Sequence, residues 1–88
     1  MSRKQEISFT TAFLQDLTYW ISTDRRISLK ILELVDSIHR DPFFGIGKPE
    51  PLRHLSGNTW SRRITQEHRI VYRVTADKII FAQARYHY

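Results

Sequence analysis

Residues 58–88 read NTWSRRITQEHRIVYRVTADKIIFAQARYHY, and the period of this stretch decides the fold. Three runs, NTWSRRIT, HRIVYRV and KIIFAQARYHY, are rich in β-branched and aromatic residues, and the period along this part of the chain is two, that of strands. TQEH and TADK, which separate the runs, are short enough to be hairpin turns, so the three strands form an antiparallel meander. Along the middle strand His68, Ile70, Tyr72 and Val74 point one way, and Arg69, Val71 and Arg73 point the other. The first set is the more apolar and faces whatever covers the sheet. The last strand, KIIFAQAR, is apolar on both faces and belongs inside the sheet rather than at its edge.

Upstream of the meander the chain changes character. DPFFGIGKPEPL, residues 41–52, holds all three prolines of the sequence and two of its glycines. Such a segment is a loop of defined shape, and it fixes Lys48 and Glu50 at little entropic cost. PLRHL, residues 51–55, can add a strand at the start of the meander. Before the loop come two helices. Phe13, Leu17, Trp20 and Ile21 recur at three and four residues, with Thr10 or Thr11 as N-cap. Ile27, Ile31, Leu34, Val35 and Ile38 mark the second helix, capped by Thr23 or Asp24, with His39 and Arg40 at the negative end of its dipole. Asp41 precedes a proline and is biased away from helix, so the second helix stops there. The short STD connection makes the pair an antiparallel hairpin. EISF, residues 6–9, alternates and reads as a first strand that joins the same sheet. The expected architecture is α+β, with two antiparallel helices packed on one face of a mainly antiparallel sheet.

At 88 residues the chain is a single domain, 1–88, with a modest core. Its composition, 41% hydrophobic and 12% aromatic, is that of a globular protein rather than a disordered one. There is no cysteine, which excludes disulfides and thiolate metal sites and fits a reducing compartment. We read no signal peptide and no run long enough to span a bilayer. A net charge of +5 favours nucleic acid, an acidic protein or anionic lipid as partner. Many basic residues of the second half lie among aromatics and histidines, and three sit in SRRITQEHR.

The sheet face turned away from the helices carries Arg69. If the TQEH turn leaves an odd number of residues unpaired, Arg63 lies opposite it. Two facing arginines repel, and an anion between them relieves that repulsion; phosphate suits the planar guanidinium fork. A solvated charged face is the plainer reading of the same pattern. Cleavage of RNA through its 2′-hydroxyl needs a base for that hydroxyl, an acid for the 5′-oxygen and a cation for the phosphorane, and it needs no metal. Glu50, His87 and Arg69 are candidates of the right types, although their spacing does not establish that they converge. Each also has an ordinary reading: Glu50 as an exposed loop carboxylate, His87 as a frayed end, Trp60 and Tyr72 as core. His54 and His68 lack metal-ligand spacing, and no Gly-rich phosphate loop or nucleophile elbow is present.

GKPEPL, WSRRI, EHRIVYRV and the ending HY form ordered blocks from Asp41 to Tyr88 that resemble the YoeB/Txe family of bacterial toxins, within the RelE-like superfamily. The likeness extends more loosely through LTYW, TDRRI and the second helix. The first ten residues depart from the pattern, with an additional SRKQ, and Thr10, Thr11 and Gln15 stand where acidic residues are common. The resemblance implies a RelE-like fold in the order β-α-α-β-β-β(-β). It also implies the toxin of a toxin–antitoxin module that cuts mRNA in the ribosomal decoding site of the bacterial cytoplasm, without cofactor or metal. On this basis Glu50 is the general base, His87 the general acid and Arg69 the phosphate-stabilising cation. Arg63 and Tyr88 match further active-site positions, Arg53 stands where the family often has lysine, and Lys48 lies within GKPEPL. The implied partners are a partly disordered antitoxin of YefM/Axe type, the ribosome with its mRNA, and a second copy of the chain, with no membrane. The main alternative is a basic RNA- or ribosome-binding module that blocks translation without cutting. An interaction protein that only pairs with a repressor is a third.

Overall fold

A single residue, Asp24, ends one helix and starts the next. In the computed structural model, which describes residues 5–86, α1 spans Thr11–Thr23 and α2 spans Arg25–Arg40. The Asp24 N–H donates to the Trp20 carbonyl (2.8 Å), while its carboxylate accepts from the Arg26 N–H (3.1 Å). Extended backbone at this one position turns the chain back on itself. Thr10 is the N-cap of α1: its hydroxyl accepts from the Phe13 N–H (3.0 Å) and donates to the Ala82 carbonyl (2.7 Å), tying the helix start to the sheet. At the far end of α2, the His39 Nε2–H donates to the Gln5 carbonyl (2.7 Å). The second helix therefore ends where the first strand begins, as an antiparallel hairpin requires.

The strands are β1 (Glu6–Phe9), β2 (Glu50–Pro51), β3 (Thr59–Arg63), β4 (Arg69–Val74) and β5 (Lys78–Gln83). Their order across the sheet is β1-β5-β4-β3-β2, with β1 parallel to β5 and every other pair antiparallel. As expected, β5 is internal. The strand anticipated at residues 51–55 is shorter and begins earlier. Leu52 still donates to the Thr59 carbonyl (2.8 Å), but Leu55 bonds back to Leu52 (3.1 Å), which turns the chain away from the sheet.

Phe13, Trp20, Ile31, Leu34 and Ile38 of the helices pack on Ile70, Tyr72, Ile79 and Phe81 of the sheet. Each such side chain contributes about 1.5–3 kcal/mol by leaving water. Ile70 and Tyr72 are fully buried there, Val74 packs at the margin, and the His68 ring stands edge-on to Trp20 with centroids 4.7 Å apart. Ile21, expected in the apolar stripe of α1, is instead 58% exposed. It follows Trp20 directly and is turned about 100° around the helix from it, off the stripe that Phe13, Leu17 and Trp20 share. Among the described residues no helix is long and apolar enough to cross a membrane.

Candidate active site on the open face of the sheet

Strand register brings the charged residues together. Glu50 pairs with Ser61 across β2–β3, Ser61 pairs with Val71 across β3–β4, and Arg63 pairs directly with Arg69. Paired residues share a face, so Glu50, Ser61, Arg63 and Arg69 all lie opposite the helices. The Arg69 Nη1–H donates to Glu50 Oε1 (3.1 Å) and, at 3.4 Å, to Ser61 Oγ. Arg69 points outward as its alternation requires, yet its side chain is only 19% exposed, because it lies over Ser61 toward Glu50. The Glu50 side chain is 59% exposed. With its carboxylate partner more than half exposed, the pair is screened by water on the Glu50 side and contributes little stability, about 1 kcal/mol.

Lys48, Pro49, Glu50, Arg63 and Arg69 line one cavity of about 310 Å³. One carboxylate thus faces three cations. A larger cavity, about 450 Å³, lies beyond Lys48 and Arg63 and is lined also by Lys30, Gly47, Ile64, Thr65 and Gln66, with no carboxylate. Lys48 and Arg63 form the wall common to both. Arg53 lies exposed in the turn after β2 and does not line either cavity. His87 and Tyr88 fall outside the described residues. Tyr86, immediately before them, is anchored beside the site: its carbonyl accepts from the Arg69 N–H (3.3 Å).

The loop that delivers Lys48 and Glu50 is held from below by Arg62, a residue that sequence reading did not single out. Arg62 is completely buried. Its Nε–H donates to Tyr72 Oη (3.2 Å), its Nη1 to Ser37 Oγ (2.9 Å) and the Ile46 carbonyl (3.1 Å), and its Nη2 to the carbonyls of Asp41 and Phe44. Tyr72 in turn donates to the Pro42 carbonyl (2.6 Å), and burial pushes its phenol pKa up against the opposing pull of Arg62. Gly45 leaves room for this network. At φ +141° a Cβ there would stand 2.6 Å from Ser37 Oγ and 2.7 Å from Arg62 Nη1. The loop then joins β3 through the Arg63 N–H, which donates to the Gly47 carbonyl (2.6 Å), and Lys48 follows in the left-handed region at φ 54°. The available signal for Arg62 was its parity, since it alternates with Trp60 and Ile64 rather than with Arg63.

A helix pair packed on one face of a five-stranded, mostly antiparallel sheet is the RelE-like fold, and here its open face carries a cationic cleft. The chain is 56% identical over 73 residues to Toxin YoeB of Escherichia coli strain K12, covering 83% of this chain and 87% of that one. The structure of the YoeB dimer from Staphylococcus aureus matches with a TM-score of 0.85 at 41% identity, covering 98% of this chain and 100% of that chain. The heterotetrameric YoeB–YefM toxin–antitoxin complex from the same organism matches at 0.81 and 41% identity, with the same coverage. The model of the YoeB-like toxins of bacterial type II toxin–antitoxin systems matches residues 9–88, and the chain belongs to that family. The family and fold expected from GKPEPL, WSRRI and the meander are therefore borne out.

Proposed function

We propose that this toxin is a metal-independent endoribonuclease that cuts mRNA on the ribosome. The observation that carries the reading is the Glu50 carboxylate set among Lys48, Arg63 and Arg69 in one cleft. Glu50 removes the 2′-hydroxyl proton, and the 2′-oxygen attacks the adjacent phosphorus. Arg69, released from Glu50 to the phosphate, steadies the phosphorane together with Arg63 and Lys48. His87 gives a proton to the departing 5′-oxygen, leaving a 2′,3′-cyclic phosphate and a new 5′-hydroxyl end. Tyr88 and Arg53 extend the contact with the RNA. The Tyr86 anchor on Arg69 supports a place for His87 beside the phosphate.

A shallow, open cleft offers few groups for orienting a flexible strand, and positioning can supply a large share of barrier lowering. This supports the ribosome as the partner that fixes the message. The YoeB–YefM complex of the S. aureus relative supports an antitoxin of YefM type, and a pI near 10 favours an acidic one that orders on binding. The YoeB dimer of that organism supports self-association. Work on ribosomes also implies the bacterial cytoplasm.

Single-turnover cleavage on programmed ribosomes tests the reading. Glu50→Gln keeps the shape of the carboxylate but cannot accept the proton, and cleavage should fall by about 10²–10⁴ with ribosome binding retained. Intact message with the wild-type chain would replace the nuclease with a basic module that blocks translation by occupancy.

A further inference from the structure

The segment just before His87 is held by more contacts than the chemistry needs. The Ala84 N–H donates to Asp16 Oδ2 (2.9 Å), and the Ala84 carbonyl accepts from Trp20 Nε1 (2.9 Å). The Arg85 guanidinium lies over the Tyr19 ring (3.6 Å) and the Tyr86 ring (4.7 Å). Tyr86 itself adopts φ 65°, a left-handed conformation uncommon for a bulky residue. Both of its backbone groups are gripped by the start of β4. Its carbonyl takes the Arg69 N–H, and its own N–H donates to His68 Nδ1 (2.8 Å).

A backbone N–H only donates. His68 Nδ1 is therefore unprotonated, and the neutral ring carries its proton on Nε2. The ring is held edge-on to Trp20 and 5.4 Å from the Tyr86 ring, and the His68 N–H is fixed by Thr65 Oγ (3.1 Å). Protonating Nδ1 would turn the acceptor into a donor facing a donor, and the contact with Tyr86 could not persist.

We propose that His68 is a positioning residue for the nuclease: neutral, it locks Tyr86 in its left-handed turn against Arg69, and protonated, it releases Tyr86. The proposal rests on the nuclease reading with His87 as acid. The groups facing His68 are Trp20 of α1, the Tyr86 ring, and Arg85 stacked between Tyr86 and Tyr19. Asp16 lies further along the same anchor, and Glu67 and Arg69 flank His68 in the chain. The hydrogen bond to Tyr86 gives the switch its direction.

Two variants and two measurements test this on the intact chain between about pH 5 and 8, where histidines ordinarily change charge. Asparagine in His68→Asn offers a carbonyl oxygen near the position of Nδ1 and does not titrate. His68→Leu fills the space without an acceptor. In NMR spectra of the wild type, the Tyr86 amide should shift with the same midpoint as the His68 ring nitrogens, and in His68→Asn it should stay put. In single-turnover cleavage on programmed ribosomes, His68→Asn should match the wild type within about threefold at neutral pH. Its advantage should then grow by up to about tenfold per pH unit on the acid side. His68→Leu should lose at least about tenfold in rate throughout, with ribosome affinity unchanged. A Tyr86 amide that ignores His68 titration overturns the lock. Superimposable pH profiles for wild type and His68→Asn overturn its coupling to catalysis. If the wild type cuts nothing at any pH, the nuclease reading fails and the coupling falls with it, while the spectra still judge the lock separately.

Discussion

Replacing Arg62 with methionine should cost far more stability than removing any cation of the cleft. Five hydrogen bonds leave this one buried guanidinium, to Tyr72, Ser37 and the carbonyls of Asp41, Phe44 and Ile46. A hydrogen bond to a charged group contributes about 1.5–3 kcal/mol net, but summing five such values overshoots. Burying the charge itself costs several kcal/mol, which methionine recovers. Asp41, Phe44 and Ile46 are exposed residues whose carbonyls water can reach once the loop loosens, whereas Ser37 stays dry. The dry oxygens of Ser37 and Tyr72, left without their donor, cost about 1–3 kcal/mol each, so a loss of about 3–5 kcal/mol is expected. It is a large part of the 5–15 kcal/mol typical of a small domain. Urea denaturation of the purified toxin is the assay. With a slope of about 1–2 kcal/mol per molar, the midpoint should fall by roughly 2 M or more. A loss below about 1 kcal/mol would refute the idea that Arg62 holds the loop.

Other changes should separate stability from activity. Arg69→Ala removes an ion pair whose carboxylate is more than half exposed, so stability should move by about 1 kcal/mol while cleavage falls by about 10²–10³; full toxicity at equal abundance would remove Arg69 from the site. Gly45→Ala should destabilise by more than about 2 kcal/mol in the same urea assay, and less than additively with Arg62→Met, because the added carbon meets Arg62 itself. Tyr72 has a folded-state pKa above its ordinary value of 10.0, so its contribution is complete below that value and is lost as pH rises toward the folded pKa. Urea midpoints from neutral pH to above 10 should therefore fall more steeply for the wild type than for Tyr72→Phe.

Much of the fold was legible because two periods, 3.6 and 2, run undisturbed through long segments. The Pro- and Gly-rich loop between them marked the change, and Thr10, Asp24 and Asp41 marked the helix ends. Legibility failed where only a few residues decide. β2 is two residues long, too short for alternation to register, and its position depends on where Leu55 bonds back to Leu52. For the cleft, spacing offered the opposition of Arg63 and Arg69 through the parity of a turn. It did not offer the approach of Glu50 to Arg69, which depends on β2 pairing with β3. Arg62 was missed because a charged side chain amid a run of cations reads as solvated, and burying a charge is ordinarily prohibitive. What lifts that cost is a ring of neutral oxygens drawn from α2, the loop and β4, and no local pattern announces such a ring.

Arg62 and Arg63 show how one strand divides support of the loop from lining of the cleft. They are the same residue type in adjacent positions, and alternation sends them to opposite faces. Arg62 goes inward and fastens the loop that carries Gly45 and Ile46. Arg63 goes outward to line the cleft with Lys48, and its backbone N–H closes on Gly47. The loop is thereby clamped to β3 by a side chain beneath it and a main-chain bond at its end, three residues before Glu50. Glu50 can then remain more than half exposed, and its ion pair with Arg69 weak, without losing its place. On the proposed nuclease reading, a weak ion pair suits a cation that must let go of its carboxylate when phosphate arrives, since a tighter one would compete with the substrate. The strength that positions Glu50 comes from the opposite face, where no substrate has to displace it.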